Sequence, residues 1–276
     1  MKTLDISVII STYNNPSWLE KVLWSYEFQT FKSFEVVIAD DGSSNDTKQL
    51  ITRIKNEVSY PIQHIWHEDN GFQKTIILNK ATVASKGEYL VYTDGDCIAR
   101  KDFLQVHVSN REPGCFLSGG YFKLPLLISQ EISKQDIQGQ RCFNIEWLKN
   151  RGLKSSFKNN KITSKGFKMR FLNLVTPTRV TWNGHNSSGY KKDIIAVNGY
   201  DERMQYGGED RELGERLINF GIKPKRVRYN AICLHLDHER GYVEPEMIKK
   251  NLVIRKYTKL NKVIQTPFGI NKSEFL

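Results

Sequence analysis

The sequence predicts an α/β fold with an open, mostly parallel sheet that is covered by helices on both faces. Its first half alternates short apolar runs with apolar residues at helical spacing, which is the alternation that βαβ units produce. The runs are nearly continuous in apolar residues, as expected of parallel strands that are buried on both faces. Each run also ends in a polar loop, and the carboxyl ends of parallel strands share one edge of a sheet, where ligands bind.

Four strands and three helices account for this first half. We predict the strands at 5–11, 34–39, 62–66 and 88–93. We predict the helices from Ser17, the expected N-cap, to about Thr30, from a cap at Asn45 or Asp46 onwards, and over 74–85.

The pattern becomes less regular after Lys101. We predict strands at 115–123 and 226–234 and a helix over 128–149. The segment 150–168 is basic and poor in apolar residues, which predicts a mobile loop over the site. The chain is therefore expected to form one α/β domain over 1–240, followed by a basic helical extension over 241–276.

The composition indicates a folded protein with anionic partners. The 276 residues include 41 Lys and Arg against 30 Asp and Glu, which gives a net charge of +11. Nucleic acid is not expected as a partner, because no helix-turn-helix, zinc-finger or RNP-type motif is present. No run approaches the roughly 20 apolar residues of a membrane span, and no secretory signal is evident. The scattered cysteines predict reduced thiols in a cytoplasmic protein; they are Cys97, Cys115, Cys142 and Cys233.

Two carboxylates one residue apart follow the fourth strand, in Asp94-Gly95-Asp96. Glycine permits a tight backbone turn, so the pair forms a compact cluster of hard oxygen ligands. Such a cluster suits Mg²⁺ or Mn²⁺, which bind carboxylates and keep coordination sites for substrate phosphate. The alternative is an ordinary Asp-Gly turn with solvated carboxylates.

The loops after the first two strands also carry candidate binding groups. The first loop, 11–16, lacks the glycines of a dinucleotide fingerprint, which argues against NAD or FAD. It offers the ring of Tyr13 for stacking on a base. Asp40 and Asp41 end the second strand. In one interpretation their carboxylates accept hydrogen bonds from a base or ribose. In the other they accept hydrogen bonds only within a turn of the chain.

A pair of carboxylates follows a Gly-Gly bend in the distal half. Gly207 and Gly208 precede helical spacing of apolar residues, which places Glu209 and Asp210 in the first turn of a helix. Acidic residues are common there because they favour the positive helix end. The functional alternative is a general base that takes a proton from an attacking hydroxyl.

Two histidines, His235 and His238, lie just beyond the strand predicted at 226–234. A single histidine is usually a packed or solvated residue. A His-x-x-His pair in a chain that also carries Asp-Gly-Asp predicts a completed metal site instead, and imidazole ligands favour Mn²⁺ over Mg²⁺.

Taken together, the motifs at 8–14, 40–44, 94–96, 182–184 and 207–211 resemble an inverting glycosyltransferase of family 2 with the GT-A fold. The resemblance covers roughly residues 5–240, and the order and spacing of the motifs make it specific. The distal half is similar to bacterial chondroitin-polymerase-like enzymes and to β-1,4-galactosyltransferases.

The resemblance implies a role for each candidate residue. Asp210 would be the base, and Glu209 would hold acceptor or donor hydroxyls. Asp94, Asp96, His235 and His238 would form the metal site, where galactosyltransferases carry a Met-x-x-His pair. The implied contacts to the nucleotide sugar are Thr12, Tyr13, Asn14, Asp40, Asp41, Lys74, Asn79, Asp94, Gly95, Trp182 and Gly208.

The implied activity is Mn²⁺- or Mg²⁺-dependent transfer of a hexose, galactose or an N-acetylhexosamine, from a UDP-sugar donor. The acceptor would be a saccharide or lipid-linked saccharide, and the β-glycosidic product would belong to bacterial surface polysaccharide or lipopolysaccharide. A sugar nucleotidyltransferase is one alternative, although it usually needs a Gly-rich, basic loop after the first strand. A non-catalytic sugar- or nucleic-acid-binding module explains the charge but leaves the carboxylates and imidazoles without a shared purpose.

The segment 246–262 combines apolar residues at helical spacing with many lysines. One interpretation is an amphipathic helix that packs on the catalytic domain and leaves its basic face in solvent. The other is a peripheral contact with an anionic membrane. The expected location is the cytoplasm, either free or at the inner face of the cytoplasmic membrane.

Overall fold

The computed structural model describes residues 4–239 and 243–272. Within them lie ten strands: β1 (Ile6–Thr12), β2 (Phe34–Asp40), β3 (Ile62–Trp66), β4 (Tyr89–Asp94), β5 (Cys97–Ala99), β6 (Cys115–Ser118), β7 (Gly120–Lys123), β8 (Ser187–Tyr190), β9 (Lys223–Arg226) and β10 (Ile232–His235). Seven of them form one sheet in the order β3-β2-β1-β4-β8-β6-β9. Only β8 runs antiparallel to its neighbours, β4 and β6. The predicted open, mostly parallel sheet is confirmed.

Helices cover both faces of this sheet. The α-helices of the described residues are α1 (Pro16–Glu27), α2 (Asn45–Lys55), α3 (Lys74–Ala84), α4 (Phe103–Asn110), α5 (Leu126–Glu131), α6 (Lys134–Gln138), α7 (Ile145–Lys149), α8 (Asn160–Thr163), α9 (Gly166–Val175), α10 (Lys191–Ala196), α11 (Glu209–Asn219) and α12 (Pro245–Leu260). Alternate residues of β1 belong to two apolar clusters. Val8 and Ile10 pack with α1 and α2, whereas Ile9 packs with α3 and α11. The strand is thus buried on both faces, as its apolar run predicts.

A second, three-stranded sheet, in the order β5-β10-β7, was not predicted from the sequence. Strand β10 pairs antiparallel with β5 and parallel with β7. This sheet joins the chain just after Asp96 to the chain just before His238, and it is the element that connects the two halves of the site.

The first-half strands were predicted to within one residue, but three predictions for the second half were wrong. Segment 115–123 is two strands in different sheets, because the chain changes partners at Gly119, whose N–H donates to Asn186 O. Segment 226–234 is the end of β9, a turn and β10, and the turn is closed by Ala231 N–H and Val227 O. Segment 128–149 contains α5, α6 and α7 rather than one helix, because Ser133 and Asp136 form a capping box that starts a new helix.

Two predicted helix caps also differ. The side chain of Asn15, not Ser17, accepts from Trp18 N–H at the start of α1, and Pro16 occupies the first helical position. Ser44 occupies the N-cap position of α2, so Asn45 and Asp46 lie within the helix. The segment 150–168 contains α8 and the start of α9 instead of continuous loop, and its mobility stays a prediction.

The C-terminal helix α12 packs on α11 at a buried ion pair that lies within α11. The Arg216 guanidinium donates from Nε to both oxygens of Glu212, at 2.8 and 2.9 Å. It also donates to Val197 O and Gly199 O, and the Thr258 hydroxyl of α12 donates to Glu212 at 2.8 Å. Both charged side chains are essentially inaccessible to solvent. The pair therefore fastens α12 and the loop before Tyr200 to α11.

We expect Arg216→Ala to lower the free energy of unfolding by about 3–5 kcal/mol, because it leaves the Glu212 carboxylate buried without a counter-charge. Urea unfolding followed by circular dichroism measures the loss. The double variant Arg216→Met/Glu212→Gln removes both charges and should recover much of the stability. A loss below about 1 kcal/mol in Arg216→Ala would contradict the prediction.

Candidate active site

The carboxyl ends of β1, β2 and β4 meet at one edge of the large sheet. Thr12 lies opposite Asp40, and Ser11 lies opposite Asp94 in the strand register, which confirms the predicted shared rim. A cleft of about 2040 Å³ opens at this rim. The predicted site residues that line it are Thr12, Tyr13, Asn14, Asp41, Lys74, Asp94, Gly95, Asp96, Trp182, Gly208, Glu209, Asp210, His235 and His238.

One end of the cleft combines a partly exposed ring with a buried carboxylate. The Tyr13 hydroxyl donates to Asp69 at 2.9 Å, and about half of the Tyr13 side chain stays exposed. Asp41 contacts His67 Nε2 at 2.8 Å and accepts from Gln73 N–H at 3.0 Å. Burial raises the pKa of Asp41, and the hydrogen bond from His67 opposes this rise. An aromatic face beside a fixed acceptor suits a nucleoside.

Two residues predicted to contact the nucleotide sugar, Asp40 and Asn79, lie outside the cleft. Asp40 is fully buried, where it contacts His64 at 2.8 Å and accepts from Ser43 N–H at 2.9 Å. Asn79 donates to Tyr200 O at 2.9 Å and accepts from Tyr200 N–H at 2.8 Å. These contacts fix the turn after β2 and the loop around Tyr200. The two side chains therefore stabilise the backbone around the cleft without lining it.

Lys74 and Asp94 form an ion pair on the cleft floor. Lys74 Nζ lies 2.9 Å from Asp94 Oδ1, which also accepts from the Ser11 hydroxyl at 2.7 Å. Burial would raise the pKa of Asp94, but the Lys74 charge, His185 and the hydrogen bonds from Ser11 and Lys74 together outweigh it and hold that pKa well below its ordinary value. Burial would likewise lower the pKa of Lys74, yet the carboxylates of Asp94, Asp210 and Glu209 raise it well above its ordinary value. Both partners are therefore charged at neutral pH.

Asp96, His235 and His238 converge, as predicted from their strand ends. Asp96 Oδ2 lies 2.8 Å from His238 Nε2 and 3.4 Å from His235 Nε2. One ligand atom from each residue lies within 4.8 Å of the other two. The rings are nearly parallel, with centroids 5.9 Å apart. Asp94 also comes within this range of Asp96, but its Oδ1 already accepts from Ser11 and Lys74.

Glu209 and Asp210 begin α11 after a bend that requires glycine, because Gly207 and Gly208 have φ of 105° and 99°. Glu209 accepts from Gly207 N–H at 3.0 Å, and burial together with Asp210 raises the pKa of Glu209 to about 7. Asp210 accepts from the Tyr200 hydroxyl at 3.3 Å, and burial raises its pKa as well. Asp210 is thus a stronger base than an exposed aspartate.

Close packing holds Asp210 against the segment 182–184. A Cβ atom at Gly184 would lie 2.8 Å from Asp210 Oδ2, so only glycine leaves room for the carboxylate there. Trp182 is fully buried and donates from its indole to the Tyr200 hydroxyl at 3.1 Å. Trp182 therefore supports the partner of Asp210 as well as lining the cleft.

Sequence reasoning missed several cleft residues. His185 and His235 both pack on the ring of Tyr121, with centroids 4.6 and 5.1 Å away. Burial lowers the pKa of His185 to about 4, so its imidazole is neutral at pH 7. Lys161, which donates to Tyr121 O at 2.7 Å, and Arg228 line the same wall. A single histidine and isolated cations carry no spacing signal in a sequence.

Two protein-family models match the chain. Residues 7–113 match glycosyl transferase family 2, and residues 179–239 match the model described as the N-terminal domain of galactosyltransferase. Residues from both matched segments line the cleft.

Two curated relatives share about a quarter of their aligned residues with this chain. Validoxylamine A glucosyltransferase from Streptomyces hygroscopicus subsp. jinggangensis is 25% identical over 92% of this chain and 61% of its own length. Hyaluronan synthase from Pasteurella multocida is 25% identical over 78% of this chain and 23% of its own length. The chain thus spans less than two thirds of either relative.

Two solved structures have a similar fold. Mannosyltransferase PcManGT from Pyrobaculum calidifontis, in complex with GDP-Man and Mn²⁺, has a TM-score of 0.58 and 16% identity over 93% of this chain and 70% of its own. S. aureus TarS, in complex with UDP-GlcNAc, has a TM-score of 0.61 and 15% identity over 94% of this chain and 70% of its own. The predicted GT-A fold is confirmed by these likenesses.

Proposed function

Because the chain carries a domain of glycosyl transferase family 2, we propose that it moves a hexose from a UDP-sugar to a saccharide acceptor with inversion at the anomeric carbon. Galactose or an N-acetylhexosamine is the proposed hexose, and the β-glycoside formed would enter bacterial surface polysaccharide or lipopolysaccharide. One observation carries the proposal. A single cleft contains an aromatic ring and a buried acceptor at Tyr13 and Asp41, a three-ligand cluster at Asp96, and a partly buried carboxylate at Asp210.

Asp96, His235 and His238 are the proposed ligands of Mn²⁺, or of Mg²⁺. Their mixed oxygen and nitrogen donors and the 4.8 Å spacing fit a divalent ion, and imidazole favours Mn²⁺. When bound, the ion would offset the negative charge of the leaving diphosphate. Lys161 and Arg228 line the same wall and add positive charge of the chain's own.

The proposed reaction is a single displacement. Asp210 removes the proton of the acceptor hydroxyl, whose oxygen bonds to the anomeric carbon while the bond from that carbon to the diphosphate oxygen breaks. The carboxylate serves only as base, so no glycosyl-enzyme intermediate is needed. Tyr200 and Gly184 hold Asp210 in position.

No helix in the described residues is both long and apolar enough to cross a membrane. The four cysteines are free, and three of them are buried, which supports the proposal of a reducing, cytoplasmic location.

The test of the proposed function is a donor screen. The protein is incubated with Mn²⁺, a set of UDP-sugars and candidate saccharide acceptors, and free UDP is measured. We expect acceptor-dependent UDP release with one hexose donor and a β-linked product by NMR. Formation of a UDP-sugar from UTP and a sugar phosphate would favour a nucleotidyltransferase instead. Binding of sugars without any UDP release would favour a non-catalytic module.

Asp41→Ala is expected to weaken UDP binding by roughly 1–3 kcal/mol, because it removes a buried acceptor from the proposed nucleoside contact. Titration calorimetry with UDP measures the change. Asp46→Ala, at an exposed position of α2, is the matched control and should bind UDP like the parent protein. Unchanged UDP affinity in a folded Asp41→Ala protein would leave Asp41 with a structural role alone.

A further inference from the structure

Helix α9 (Gly166–Val175) presents an exposed apolar stripe. Phe167 is 83% exposed, Phe171 50% and Leu174 81%. Their spacing of four and three residues places them on one face of the helix. The helix is anchored on its other side by Leu172, which is buried. Monomeric soluble proteins rarely leave such contiguous apolar surface in water, so the stripe indicates a contact site.

The segment of chain that contains this stripe is strongly basic. Residues 147–180 contain nine Lys and Arg and no Asp or Glu. Lys165, Lys168 and Arg170 are exposed at the start and along the length of α9. In the part of the chain that the structure describes, none of these three forms an ion pair with a carboxylate. The positive charge is therefore available to an external anion.

Helix α12, where the sequence suggested a membrane contact, differs from α9 in the ion pairing of its cations. It also exposes apolar residues, among them Val253 and Leu260. However, Lys259 and Arg255 pair with Glu215, and Lys249 pairs with Glu246. Its cations are thus partly neutralised by carboxylates, whereas those of α9 have no such partner among the described residues.

We propose that α9 is an interfacial helix that docks on an anionic membrane. Its apolar stripe enters the boundary between headgroups and acyl chains, and Lys165, Lys168 and Arg170 contact the anionic headgroups. An apolar stripe beside uncompensated cations is the combination that such a surface recognises. The segment also lies between the two family matches, at 7–113 and 179–239, so it is outside the shared catalytic sequence.

Docking through α9 would bring the cleft to the membrane. Residues 152–154, 156, 158–159 and 161, shortly before α9, and residues 178–179, shortly after it, line the cleft. A saccharide acceptor carried on a lipid would then be presented at the cleft mouth. This last step rests on the proposed function, whereas the membrane contact does not.

The test is co-sedimentation with phosphatidylcholine vesicles, with and without phosphatidylglycerol, at low and high salt. We expect binding only to the anionic vesicles, and weaker binding at high salt. Phe167→Ser/Leu174→Ser should weaken binding by about tenfold or more, since each residue loses its buried apolar area. Lys165→Gln/Lys168→Gln/Arg170→Gln tests the charges at exposed positions with little risk to folding. Val253→Ser/Leu260→Ser on α12 is the matched control and should bind like the parent protein.

Several results would overturn the proposal. They are equal or negligible binding of the parent protein to both vesicle types, loss of binding only in the α12 control, and a dimer in solution that the α9 variants abolish. UDP release with a water-soluble acceptor should be unchanged in the α9 variants. Vesicle binding by a protein that releases no UDP would leave α9 as a membrane contact and reject the transferase proposal.

Discussion

Replacement of Asp210 by asparagine is expected to lower kcat by about 10²-fold or more while the affinity for UDP changes little. The amide keeps the shape of the side chain and removes its ability to take the acceptor proton. Steady-state kinetics of UDP release, together with calorimetry for UDP, separate the two effects. The close contact with Gly184 makes asparagine a better choice than a larger residue.

Glu209→Gln is the matched control for this prediction. Glu209 accepts from Gly207 N–H and stabilises the bend, so its loss should affect KM or stability more than the chemical step. If Glu209→Gln is inactive and Asp210→Asn retains activity, the two roles are reversed. Equal loss in both would indicate that the carboxylates act as a coupled pair.

Removal of divalent metal is expected to abolish activity, and Mn²⁺ should restore it better than Mg²⁺. The measurement is UDP release after treatment with EDTA and re-addition of each ion. Full activity in the presence of the chelator would contradict the metal proposal.

Direct Mn²⁺ binding tests the ligands without reliance on activity. His238→Ala should weaken Mn²⁺ binding by about tenfold or more in calorimetry. Even the loss of a residue that only hydrogen-bonds to a metal ligand typically lowers metal affinity by about 10–100-fold. Asp237→Asn is the control, since Asp237 pairs with Lys123 at 2.9 Å and lies outside the ligand cluster. Equal Mn²⁺ affinity in His238→Ala and the parent protein would remove His238 from the site.

Local sequence patterns were sufficient for the first half of the fold. Strands β1 to β4 are buried on both faces or end at polar loops, so their apolar runs and their ends are visible in the sequence. In the second half, β6, β7, β9 and β10 have four residues each, too few to establish a period. Their identity depends on partners far away in the chain, such as the switch of partners between β6 and β7.

Site residues were predictable where an acidic residue follows an element boundary that can be recognised in the sequence. Asp94, Asp96 and Asp210 follow a strand end or a Gly-Gly bend, and those boundaries are readable locally. The sequence did not distinguish the role of Asp40 from that of Asp41, because Asp40 is held outside the cleft by its contacts with His64 on β3 and with Ser43 N–H. Asn79 was misassigned for a similar reason, since its partner Tyr200 lies 121 residues away.

The pairing of β5 with β10 is expected to form late in folding. Leu236 N–H donates to Asp96 O at 2.9 Å, and His235 lies opposite Cys97 in the strand register. Asp96 and His238 are 142 residues apart, so this closure is one of the long-range, entropically costly steps. If Asp96, His235 and His238 bind Mn²⁺ as proposed, a refolding chain is expected to assemble its βα half first and to bind Mn²⁺ tightly only after the late closure. The rate of metal binding during refolding would then report when the native topology is complete.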